Sequence, residues 1–145
     1  SPDLVQGEKT RKKAYSLEKF LDDCKHHKEL IEIDSGAMDE AVNVMHISCD
    51  SEEELKVQIL DQIASHGAGE FEYINTKPFR KGINGNHPLV EVYSFMHGFI
   101  NMYISFCIVQ TKNGWFIKSI HADDSHSGLG DSMSIGEMIK LLGKK

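Results

Sequence analysis

Between Leu89 and Ala122 apolar and polar residues alternate along the chain, and the alternation breaks at His97-Gly98 and at Thr111-Lys112-Asn113-Gly114. A period of two is the signature of strands. It predicts three of them, at about 89–97, 100–110 and 115–122, joined by hairpins for which Asn-Gly is the strongest short-range signal. Ile100, Met102, Ile104, Phe106 and Ile108 share one face of the middle strand, and Tyr103, Cys107 and Val109 the other. A strand apolar on both faces is central and covered on both sides. Phe71 and Tyr73 alternate with Glu72 and Ile74, which predicts a fourth strand over 70–75 and then a Gly-containing loop over 78–88.

Upstream the period becomes helical. Leu17, Phe20, Leu21 and Cys24 fall on one face, with Ser16 as N-cap, Tyr15 and Phe20 as a hydrophobic staple, and an end near His26-His27-Lys28. Ser51 to Glu54 forms a capping box for a helix over 51–66 that presents Leu55, Ile59 and Ile63, with Gly67 as its C′ residue. Between them, Met38, Ala41, Val42 and Met45 suit a short helix, which we take over a strand starting at Val42, Val44 and Ile47. A second capping box, Ser134 to Glu137, opens a last short helix over 134–142. The expected architecture is α+β: a flexible basic lead-in over 1–13, then one domain over 14–145. In it, N-terminal helices pack on an antiparallel sheet of about four strands, with a short C-terminal helix. A chain of 145 residues buries one core of that kind without staples.

Composition changes this picture little; charge changes it more. The chain is 40% hydrophobic and 26% charged, a balance typical of soluble domains. Its longest mainly apolar stretch, Ile100 to Val109, is about half a membrane span, and no signal-peptide pattern opens the sequence. Cys24, Cys49 and Cys107 are odd in number and lack a Cys-x-x-Cys spacing, which suggests a reducing, cytoplasmic setting without disulfides or zinc knuckles. The net charge of −6 conceals a segregation, because residues 14–75 hold fifteen carboxylates against four lysines while both flanks are mildly basic. An acidic helical face of this sort, with Asp22, Asp23, Glu52 and Glu53, argues against nucleic acid and fits a basic protein partner.

The late strand reads Gly114-Trp115-x-Ile117-x-x-Ile120-His121 after helices and a long curled antiparallel sheet. In this order of elements, over roughly residues 14–122, the chain resembles the nuclear-transport-factor-like superfamily (cystatin-like cones). Its last strand often reads Gly-x-Trp-x-Ile before a polar position. The resemblance implies a cone-shaped fold shared by isomerases, dehydratases and non-catalytic binding or dimerisation modules. The enzymes among them carry Asp, Tyr or His in the mouth of the cone. It also implies a homodimer through the open sheet, with Tyr103 near its centre.

Three functions stay open on these residues. The leading one is a non-enzymatic interaction module of immunity or adaptor type, working through the acidic face. The second is a small-molecule binder or a lyase- or isomerase-type enzyme. Its pocket would be lined by Tyr93, Phe95, Tyr103, Trp115 and His121, and its polar groups would be His97, Tyr103, His121 and Asp123. His121-Ala122-Asp123-Asp124-Ser125-His126 suits acid–base or metal chemistry as well as a solvated turn. The third is a small ribonuclease toxin using Arg80, Lys81, His87 and His121. The basic loop with Lys77, Asn84 and Asn86 would then hold phosphate. No cofactor or resident metal is expected, because no motif for either is present.

Overall fold

The computed structural model describes residues 12–109 and 113–122. The C-terminal helix expected over 134–142, Asp123 and most of the basic lead-in lie outside the described residues.

Ser16 is extended, and its hydroxyl accepts a hydrogen bond from the Lys19 amide at 3.1 Å, which starts helix α1 (Leu17–His26). Tyr15, just before the cap, packs against the core that holds Phe20. Its hydroxyl donates to the Leu89 carbonyl at 2.6 Å, and its ring meets Phe106 and Trp115, the two rings that Phe20 also packs on. A single 3₁₀ turn (Lys28–Leu30) leads to strand β1 (Ile31–Ile33) and then to helix α2 (Ser35–Met45), where the Asp34 carboxylate accepts from the Gly36 and Ala37 amides. Helix α3 (Glu52–Ala64) is capped by Ser51, whose hydroxyl accepts from Glu54 N–H at 3.2 Å. Gly67 is not its C′ residue: the helix closes on Ser65, and Gly67, at φ −76°, opens a 3₁₀ turn (Ala68–Glu70).

Four strands follow as one meander partner after another: β2 (Glu72–Pro78), β3 (Leu89–His97), β4 (Ile100–Val109) and β5 (Gly114–Ala122). The sheet has five strands in the order β1-β5-β4-β3-β2, and it is mixed, because β1 runs parallel to β5 with Ile31 opposite Trp115. The expectation of about four antiparallel strands missed β1 because three residues are too few to display a period. Gly114 makes that pairing possible: a Cβ there would sit 2.3 Å from the Leu30 carbonyl oxygen.

The three helices among the described residues cover one face of the sheet. Phe20, Cys24, Ile59, Leu60 and Ile63 are buried in the same core as Tyr93, Phe95, Met102, Ile104, Phe106 and Ile117. Phe20 stacks flat on Phe106 with ring centroids 3.8 Å apart; burial of each such ring contributes about 1.5–3 kcal/mol. β4 is the middle strand, as its two apolar faces predict. Its outer face is covered at one end by the loop after β2, which returns Phe79 and Ile83 onto Val90, Cys107 and Phe116. Cys107 behaves as a small core hydrophobe there, with burial pushing its thiol up to about 12.

Candidate functional site

The expected aromatic pocket does not form. Tyr93, Phe95 and Trp115 are buried in the core beneath the helices, whereas Tyr103 and His121 lie on the opposite face of the sheet, paired with rings 5.5 Å apart. The cause is a register shift in the β4–β5 pairing: Ser105 faces Ser119 but Phe106 faces Ile117, so Lys118 is the additional residue of a bulge. One added residue reverses parity. Trp115 and Ile117 therefore point to the helices, and Ser119 and His121 point away from them.

The acidic set divides as well. Asp22, Glu52 and Glu53 are exposed on the helical layer. Asp23 is inside, only 1% exposed. The Trp115 indole N–H donates to its Oδ2 at 2.8 Å, and its Oδ1 takes Lys19 Nζ at 3.1 Å and His27 Nδ1 at 3.0 Å. Burial alone would raise the Asp23 carboxyl, but these donors together outweigh it and hold the group below the ordinary carboxylate range. A buried tryptophan needs an acceptor for its N–H, and that demand explains why this acid leaves the surface.

The ribonuclease set is likewise not assembled. Arg80 and Lys81 are exposed; His87 bonds the Phe79 carbonyl at 2.9 Å, over the cluster that contains Val90 and Cys107. His121 sits opposite Tyr103, four positions along β4 from Cys107, about 13 Å at the rise of a strand.

Two other constellations appear instead, both on the helix-covered side. The first joins His97, at the end of β3, to two residues that sequence reasoning missed. Glu70 Oε1 lies 2.8 Å from His66 Nδ1, and His66 Nε2 lies 2.9 Å from His97 Nδ1. A carboxylate only accepts, so His66 carries a proton on Nδ1, and one further proton joins its Nε2 to His97 Nδ1. Burial first, and the neighbouring imidazole second, hold His97 below the ordinary histidine range, and the His66 bond lowers Glu70. The His66 ring is wedged edge-on against Phe95 and Phe71, 5.2 and 6.3 Å away between centroids. The signal in the sequence was the i, i+4 spacing of His66 and Glu70 just past the end of α3.

The second constellation is an open cleft of about 330 Å³ where the chain enters α1, lined by Lys13, Tyr15, Glu18, Gly69, Phe71, Tyr73 and Tyr93. The Lys13 ammonium lies over the Tyr73 ring, 5.5 Å from its centroid. Behind the cleft is Glu91, fully buried, which accepts from the Ala14 amide, the Tyr15 amide at 3.1 Å and the Tyr93 hydroxyl at 2.8 Å. Alternation along β3 places Glu91 on the same face as Tyr93 and Phe95, and that was the legible clue.

Among the described residues no helix is long and apolar enough to cross a membrane. No protein-family model, curated protein or solved structure matches this chain.

Proposed function

We propose that this domain is a non-enzymatic interaction module whose acidic helical layer docks on a basic protein partner. One observation carries the reading. Thirteen carboxylates stand against four lysines between residues 17 and 64, the stretch that supplies the three described helices laid over the sheet. Glu18, Asp22, Glu52, Glu53 and Asp61 remain exposed there, while Asp23 serves the interior. Clustered exposed charge of one sign accelerates encounter and excludes like-charged partners. The three free cysteines, two of them buried, fit a cytoplasmic setting.

The test is a basic protein captured from the native host, with its association rate measured against salt. The rate should fall steeply toward 1 M salt, where screening shortens to about 3 Å, and Glu52→Lys with Glu53→Lys should slow it further. A rate indifferent to salt and to both substitutions overturns the proposal.

A second reading rests on the cleft at the start of α1. In a domain of the nuclear-transport-factor-like type, the small-molecule site would lie at this aromatic mouth with Tyr73 and Glu18, rather than around Tyr103 and His121. The outer face is then left for self-association, narrowed to the Tyr103–His121 end by the loop that covers Cys107. Tyr103→Glu should convert a dimer to monomers in small-angle scattering; a wild type that is monomeric at high concentration removes that interface.

A further inference from the structure

We propose that His66 and His97 form a binding site for a divalent late-transition-metal ion, with Glu70 orienting His66 from behind. Two imidazole nitrogens converge here, His66 Nε2 and His97 Nδ1, at 2.9 Å. Nitrogens bound at about 2.05 Å and at right angles on one ion stand about 2.9 Å apart. The hydrogen-bonded spacing thus equals that of cis positions in the tetragonal geometry favoured by Ni²⁺ and Cu²⁺, which the pair reaches by tilting the rings without moving apart. Water molecules complete the coordination.

Three features prepare the pair for an ion. Glu70 accepts from His66 Nδ1 at 2.8 Å, so the neutral ring has its lone pair on Nε2, facing His97; carboxylate–histidine–metal arrangements work in this way. The Phe71 and Phe95 rings hold the His66 ring in place, so little side-chain freedom is lost on binding. The side chain of His66 is 13% exposed and its Glu70 partner 54% exposed, so the site is sheltered and still reachable from solvent. Binding requires that His97 move its proton from Nδ1 to Nε2. The rings also tilt until both lone pairs meet off the line between the nitrogens, where the ion sits about 2.05 Å from each.

Another candidate among the described residues, Asp22 with Asp23 and His27, brings ligand atoms within 4.8 Å of one another. There Asp23 is already occupied by the Lys19 ammonium and the Trp115 N–H, and a cation would have to displace Lys19. That makes it the control site.

The experiment titrates the untagged full chain with Ni²⁺ and with Cu²⁺ by calorimetry, and records the electron paramagnetic resonance of the Cu²⁺ form. The expected result is one ion per chain with two coupled nitrogens. His97→Gln should weaken binding more than tenfold and remove one nitrogen, and Glu70→Gln should weaken it about tenfold. His27→Ala should leave it unchanged. His66→Ala should abolish binding, and His97→Gln and Glu70→Gln keep the test sound if loss of the His66 ring loosens its packing. Absence of saturable binding, binding that survives His97→Gln, or binding that follows His27 overturns the proposal.

Discussion

Asp23 and Glu91 are buried to the same degree, 1% and 0% exposed, and they are satisfied in unlike ways. Asp23 keeps the Lys19 ammonium and the His27 imidazole beside the indole N–H of Trp115. Among the described residues Glu91 has neutral donors: two backbone amides and a phenol. Each ties α1 to the sheet, Glu91 just before the helix begins and Asp23 near its end. A buried carboxylate thus survives either by bringing its counter-charge or by collecting dipoles. The second route depends wholly on geometry, since nothing mobile from the surface can replace a missing donor.

The largest expected effect follows from that difference. Glu91→Ala strands the Tyr93 hydroxyl and two amides at once and should lower unfolding free energy by about 3–5 kcal/mol. Urea denaturation measures it, and hydrogen exchange should speed up at Tyr15. A loss of under about 1 kcal/mol would show that Glu91 anchors nothing. Asp23→Ala strands one indole N–H near an exposed cation and should cost about 2–3 kcal/mol.

Acid separates the Asp23 network further. Its folded carboxyl lies below the ordinary value, so its stabilisation is complete above the unfolded pKa of about 3.9 and is lost as pH falls through the folded one. The stability gap between wild type and Asp23→Asn should narrow below about pH 4, and a gap that stays constant would show that the charge does not matter. Tyr93→Phe removes one neutral donor from Glu91 and should cost about 1 kcal/mol. Smallest of all, Glu52→Gln and Glu53→Gln, on exposed carboxylates, should stay within about 0.5 kcal/mol while slowing association with a basic partner.

Most of the fold was legible because its signals are local. Ser16 and Ser51 announce their helices, the strands around the Asn113-Gly114 turn alternate cleanly, and the two faces of β4 sort as their sequence sorts. What stayed hidden depends on contacts between distant segments. β1 exists only because Gly114 admits the Leu30 carbonyl, and no pattern in residues 29–49 reveals that. Strand parity predicted Trp115 and His121 on one face, and the bulge at Lys118 put them on opposite faces. Asp23 reads as one more acid on an acidic helix until Trp115, a long way along the chain, requires an acceptor. Of the residues expected to form a site, three joined polar clusters on the helix-covered face: His97 with partners from the turn after α3, Tyr93 with Glu91, and Asp23 with Trp115.

The pairing of Ile31 with Trp115 also sets an order of events during synthesis. The first strand emerges from the ribosome with its hydrogen-bonding partner still untranslated, and closing so long a loop is entropically costly and slow. Until β4 is complete, α1 has no Phe106 for Phe20 to stack on, and until β5 follows it has no Trp115 for Asp23. The N-terminal third is thus a dependent of the last strand, and any fragment that stops short of Trp115 is a chain waiting for its partner.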